Sequence, residues 1–189
     1  MTSDSPGPVA TPPAPSTAAS PARTGAGRVL AYRWLLLIAI CVLLLDRLTK
    51  VWICIHLPYP TYGPPGHIIV IEGLFNLVNV GNTGAAWSLF SGRSTALAIL
   101  AVATLIAIYA WRRQLGLRVW IVQISFGTLC GGILGNLFDR LLYGHVIDFL
   151  DFHFGSYVYP TFNIADSGIF IGVVVYLLYS LLQRKPSQG

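Results

Sequence analysis

The chain has 189 residues, of which 54% are hydrophobic and only 10% charged, with a formal net charge of +5. Soluble domains carry roughly a quarter charged residues. With a mean hydropathy of +0.66, the composition therefore excludes an ordinary soluble enzyme and leaves room for one membrane domain of about four spans, each roughly 20 residues long.

In chain order, residues 1–27 are rich in Pro, Ala, Ser, Thr and Gly and lack apolar periodicity, which predicts a disordered tail without chemistry. A membrane domain is expected over residues 28–185, with a short cytoplasmic tail at 186–189. The first apolar span runs from Trp34 to Leu57 and is interrupted by DRLTK, Asp46 to Lys50. It is too long for a signal-peptide core and is followed by further spans, so it is read as retained. Pro- and Gly-rich turns come next, Pro58 to Gly66, and then HIIVIEGLFNLVNVGNTGAAWSLF. Its β-branched run and the alternation around Leu74 to Val80 predict a small outer β element. The second and third spans are Ser94 to Trp111 and Val119 to Phe138. HVIDFLDFHF, His145 to Phe154, has too many aromatics for a plain solvated loop and is placed against the outer headgroup layer. The fourth span is Phe162 to Leu182. The expected fold is an all-α membrane protein: four transmembrane helices with a small extracytoplasmic β element.

Basic residues set the orientation. Arg23, Arg28 and Arg33 precede the first span, Arg112, Arg113 and Arg118 fill the turn between the second and third, and Arg184 and Lys185 follow the fourth. Only Arg93 and Arg140 lie in the other two connections, so both termini are expected on the cytoplasmic side and residues 58–93 and 139–161 outside. Because these cations flank spans and do not form a patch, they fit topology signals and contacts with membrane lipids, and no nucleic-acid partner is expected. Cys41, Cys54 and Cys130 lie in apolar segments at no metal or redox spacing and read as small hydrophobes. Cys41 follows an Arg-flanked apolar run as a lipidated cysteine would, but Ile40 before it is too bulky for a cleavage site and the apolar run continues.

Four of the seven acidic residues, Asp139, Asp148, Asp151 and Asp166, fall at the outer ends of the third and fourth spans. Burying a carboxylate there costs several kcal/mol, so a functional site is the default reading. Asp166 lies in the first turns of an apolar helix, with Asn163 three residues earlier on the same face. A carboxylate there either projects into a cavity between helices or merely complements the helix dipole. Two carboxylates close enough to share a proton have separated pKa values, which allows one to activate water while the other protonates a peptide carbonyl. No metal is expected: there is no HExxH, His145 and His153 are eight apart, and His56 and His67 sit in loops. Ser167 has no nearby His and there is no GxSxG elbow.

Four blocks, DRLTK (Asp46 to Lys50), NTGAAWS (Asn82 to Ser88), GGILGNLFDRLLYGHVIDFLDF (Gly131 to Phe152) and FNIADS (Phe162 to Ser167), resemble the signatures of the lipoprotein signal peptidases, in the family's order. The similarity covers about Trp34 to Leu182. It implies an aspartic endopeptidase with Asp148 and Asp166 as catalytic residues, working without a cofactor at the outer face of a bacterial cytoplasmic membrane. The implied substrates are diacylglyceryl-modified prolipoproteins, cut just before the modified cysteine. Asn82, Asn136, Arg140, Asn163, Asp46 and Lys50 match polar positions near the site that support it or hold substrate. For Asp46 and Lys50 an internal i,i+4 ion pair is an equal reading. Asp139 competes with Asp148 as partner of Asp166, but beside Arg140 it fits a polar network better, and Asp151 is assigned a solvated or interfacial role. Gly131, Gly132 and Gly135 fit close helix packing more readily than substrate approach. Trp87 is bulkier than the Phe associated with its block.

From a different class, a small proton- or cation-coupled transporter would also use intramembrane Asp and Asn. It predicts polar residues throughout the membrane depth, whereas the second and fourth spans are polar only near their outer ends.

Overall fold

The computed structural model describes residues 30–85 and 89–183. The expectations for the 1–27 and 186–189 tails, for Trp87 and for Arg23, Arg28, Arg184 and Lys185 lie outside those residues. Within them are four long helices and a four-stranded antiparallel sheet. The helices are α1 (Arg33–His56), α2 (Ser94–Trp111), α3 (Trp120–Tyr143) and α4 (Ile164–Gln183). The strands are β1 (Ile68–Ile71), β2 (Phe75–Asn82), β3 (Val146–Phe154) and β4 (Tyr157–Val158), paired in that order.

At 1.5 Å per residue, the 24 residues of α1 and of α3 reach about 36 Å, longer than a hydrocarbon core of roughly 30 Å. By length and hydropathy α2, α3 and α4 qualify as membrane spans. The apolar run of α1 is broken by Asp46, Arg47 and Lys50, and the side chains of Asp46 and Lys50 are buried. Helix α3 is the centre of the bundle and is buried along most of its length, whereas in α2 only Ser94 and Ala98 are. Of the cysteines only Cys130 is buried; Cys41 and Cys54 face outward from α1.

The glycines of α3 let helices meet at backbone distance. A methyl group on Gly132 would collide with the Ala165 carbonyl, and one on Gly135 would stand 2.6 Å from Asp46 Oδ2. All three of Gly131, Gly132 and Gly135 pack against neighbouring helices, the arrangement small residues permit in membranes.

The aromatic segment His145 to Phe154 forms, from Val146, the nine-residue strand β3, paired to β2 along one edge and to β4 at its end. Gly144, in the left-handed region at φ 74°, ends α3 with its N–H on the Arg140 carbonyl, a conformation glycine adopts without steric cost. The chain thereby turns directly from α3 into β3. Between Leu77 and Val80, β2 carries one more residue than its partner, a bulge of the kind that redirects side chains near sites. Asn79 in the bulge donates from Nδ2 to the Leu57 carbonyl at 3.0 Å. That bond ties the sheet to the end of α1.

Candidate active site

The two aspartates singled out from the sequence come from different elements. Asp148 is on β3, opposite Val80 of β2. After β4 the chain returns so that Phe162 pairs with Leu150, its N–H and carbonyl both bonded to that residue. Asn163 follows at once and starts α4. The 18-residue separation of Asp148 and Asp166 is thus closed by one short β return.

Asn163 and Asp166 form a reciprocal cap. The Asp166 N–H donates to Asn163 Oδ1 at 2.9 Å, and the Asn163 N–H donates to Asp166 Oδ2 at 3.3 Å. This is the logic of a capping box, with Asp in the third helical position. The cap leaves Asp166 Oδ1 to accept from Asn136 Nδ2 at 2.6 Å. Asn163 Nδ2 turns the other way, donating to Asp148 Oδ1 at 2.7 Å, to Asn136 Oδ1 at 3.2 Å and to the Ile147 carbonyl at 3.3 Å. Asp148 Oδ2 accepts from Asn82 Nδ2 at 3.0 Å. One fully buried asparagine therefore touches both carboxylates.

Asp148 is buried. Its carboxyl is pushed up to about 7, by loss of solvent first and by the neighbouring Asp166 charge second; the amides of Asn82 and Asn163 and the Lys50 charge oppose this. A carboxyl titrating near neutrality beside a second carboxylate is suited to acid and base work.

A second cluster lies against the first. Asp46 and Asp139 have no exposed surface. Arg47 pairs with Asp46 Oδ2 and Asp139 Oδ1, each at 2.6 Å, and Lys50 Nζ pairs with Asp46 Oδ1 at 3.0 Å and Asp139 Oδ2 at 2.7 Å. Asp46 Oδ1 also accepts from the Ala165 N–H at 3.1 Å, and Asp139 Oδ2 from the Ile147 N–H at 3.2 Å. Lys50 Nζ donates as well to Asn136 Oδ1 at 3.2 Å, joining the two clusters through one amide. The i,i+4 ion pair read for Asp46 and Lys50 is present, within a four-membered network that also holds Asp139.

Arg140 is anchored by a bond from Nη2 to the Gly84 carbonyl at 3.0 Å and a long one from Nη1 to the Asn136 carbonyl at 3.5 Å. Its Nε is buried without a partner among the described residues. All eight positions named from the sequence (Asp46, Lys50, Asn82, Asn136, Arg140, Asp148, Asn163, Asp166) belong to this connected polar region. Arg47 was not among them, although it crosslinks both buried acids. Its signal was present in the sequence: a cation in an apolar helix must be compensated. Asp151 differs from expectation, because it is buried and held by His153 Nε2 at 2.6 Å. No set of three or more His, Cys, Asp or Glu side chains is gathered for a metal among the described residues.

Apolar helices surrounding a buried carboxylate and amide site define an integral membrane enzyme. A solved bacterial membrane enzyme, determined by the in meso method at 2.3 Å, matches with a TM-score of 0.71 at 32% identity, covering 82% of this chain and 91% of its own. A second, at 1.9 Å, gives 0.68 at 33% identity over 80% and 94%. The family model described as signal peptidase (SPase) II matches residues 38–182. A lipoprotein signal peptidase of Burkholderia vietnamiensis is 43% identical over 78% of this chain and 86% of its own length, and one of Xylella fastidiosa is 37% identical over 82% and 91%. The chain belongs to the signal peptidase II family and is a peptidase.

Proposed function

We propose that this chain removes the signal peptide from prolipoproteins as an aspartic endopeptidase, cutting before the diacylglyceryl-modified cysteine, with Asp148 and Asp166 as the catalytic pair. The observation that carries the reading is the single asparagine, Asn163, that bonds both carboxylates. Charge balance supports it. Asp46, Asp139, Asp148 and Asp166 face Arg47, Lys50 and Arg140, so one proton on the Asp148–Asp166 pair makes this set neutral. Two unprotonated carboxylates would leave an uncompensated charge in a site of low dielectric.

With one proton on the pair, the ionised aspartate takes a proton from water as the oxygen attacks the scissile carbonyl. The protonated aspartate gives its proton to the carbonyl oxygen, producing a neutral gem-diol. Collapse returns the diol proton to one aspartate while the other protonates the departing amine. The reaction uses no cofactor. Asn82, Asn136 and Asn163 orient the pair, Asp46 and Lys50 support them from α1, and Arg140 holds the substrate backbone.

In this reading α1 is the fourth span, its charges neutralised inside the bundle, and residues 28–185 form the peptidase domain between two tails. Both termini face the cytoplasm, and the sheet and site lie at the outer face of a bacterial cytoplasmic membrane, where the substrate's acyl chains remain in lipid. Purified enzyme should cleave a diacylglyceryl-modified prolipoprotein before its cysteine and leave the unmodified precursor uncut. Equal cleavage of both would remove the lipid-dependent specificity. A reporter near Pro64 should be reachable from outside and one at either terminus should not; termini on opposite sides would break the four-span arrangement.

A further inference from the structure

Arg93 is one of two basic residues in the outer connections, and the site does not use it. It has no carboxylate partner among the described residues and is exposed at the start of α2. Beside it is a cavity of about 620 Å³ lined by Phe90, Ser91, Arg93, Ala96, Leu97 and Leu100. Positions 93, 96, 97 and 100 share one helix face. The wall therefore reads cation at the top and apolar side chains for two turns below, along an exposed helix that is long and apolar enough to cross a membrane. Next to Arg93, the Ser94 hydroxyl is buried and has no partner among the described residues.

We infer that this groove binds a membrane phospholipid, its phosphodiester against Arg93 and Ser91 and one acyl chain along Ala96, Leu97 and Leu100. The charge selects the ligand. A diacylglycerol unit without phosphate offers Arg93 no counter-ion, whereas a phospholipid supplies both the anion and the chain. None of the residues bonded to Asp148 or Asp166 lines the groove, although Ser91 lies 3.5 Å from the hydroxyl of Thr83, the neighbour of Asn82, and the inference does not depend on which residues are catalytic.

The test is native mass spectrometry of the full chain released from micelles containing phosphatidylglycerol or diacylglycerol with the same acyl chains. Crosslinking with a photoactivatable phosphatidylglycerol locates the bound molecule. Wild type should retain phosphatidylglycerol over diacylglycerol and crosslink within residues 90–100. Arg93→Gln should lower phosphatidylglycerol retention roughly fivefold, the equivalent of about 1 kcal/mol for one cation at a lipid headgroup, and leave diacylglycerol unchanged. Arg93→Lys should keep most of the retention, which separates lost charge from misfolding. Leu97→Trp, which fills the groove, should reduce the crosslink. Diacylglycerol held as well as phosphatidylglycerol would overturn the inference, as would an unchanged lipid ratio in Arg93→Gln or displacement of the lipid by excess inorganic phosphate.

Discussion

Two carboxylate pairs lie side by side, buried except for the half-buried Asp166, and they are held by opposite means. Asp46 and Asp139 share Arg47 and Lys50, so each anion meets two cations. Asp148 and Asp166 accept hydrogen bonds from Asn82, Asn136 and Asn163. Cations compensate a full charge, whereas amides supply dipoles that orient a carboxylate without neutralising it. The first pair therefore has cations against both of its carboxylates, and the second is oriented by amides alone. Asn136 joins them, accepting from Lys50 and donating to Asp166. The ion-paired cluster thus acts as a rigid back wall for the titrating one.

The sharpest break in this comparison is to neutralise either member of the amide-held pair. Asp148→Asn and Asp166→Asn keep shape but remove acid–base capacity, and each should lower prolipoprotein processing by about 10³-fold or more, with the protein still accumulating in the membrane. The double variant should be scarcely worse than either single one, because groups acting as a unit are non-additive. Asp151→Asn, changed outside both clusters, should retain substantial turnover. Near wild-type processing by Asp166→Asn would refute the aspartic mechanism.

The same exchange in the ion-paired cluster should affect stability first. Asp139→Asn leaves Arg47 and Lys50 to share one anion in a buried site, a loss of about 3–5 kcal/mol. That corresponds to a fall in melting temperature on the order of 10 °C, readable by thermal unfolding in detergent. The molecules that remain folded should still process substrate. If Asp139→Asn were folded but inactive while Asp148→Asn was active, Asp139 would take the place of Asp148 as the partner of Asp166.

The difference between the two clusters was only partly legible in the sequence. Helix α2 has the expected bounds, and α1 begins and ends within one residue of its expected span, because long apolar runs are a strong signal. Strand β3 was hidden: Val146, Ile147, Asp148 and Phe149 are all buried, so both faces are covered and no alternation survives. The residues of the polar region could be named, but not their division into ion-paired and amide-held pairs. Adjacent residues on a helix do not face each other, and only the length of the Arg47 side chain lets it bond both Asp46 and Asp139. Asp151 looked solvated because the sequence does not reveal its pairing with Asn76 within the sheet.

Titration of Asp148 gives a smaller effect. In the folded state Asp148 titrates near 7, against about 4 for an ordinary aspartate. Between those values the folded chain holds a proton that the unfolded chain has released. Its contribution is fully present below about pH 4, declines as pH rises through about 7, and is flat beyond. Asp148→Asn should abolish this slope and melt higher than wild type above pH 7. Equal slopes in the two proteins would show that the buried charge lies elsewhere.

The smallest effect concerns Asn82, whose amide donates to Asp148 Oδ2 at 3.0 Å. A donor to a carboxylate favours its charged form, and this bond holds the Asp148 titration below what burial and the Asp166 charge would otherwise give. Asn82→Ala removes the donor without touching the Asn163 bond to Oδ1. Processing requires one proton on the pair, so the high-pH limb of its rate profile should move upward, by less than about one unit for a single hydrogen bond. The maximal rate should fall about tenfold or less, because Asn163 still orients the carboxylate. Asn82→Asp places a third acid beside the pair and should move the limb further in the same direction. A downward shift in Asn82→Ala would mean that the amide holds the protonated form of Asp148, and the ionised partner that activates water would then have to be Asp166.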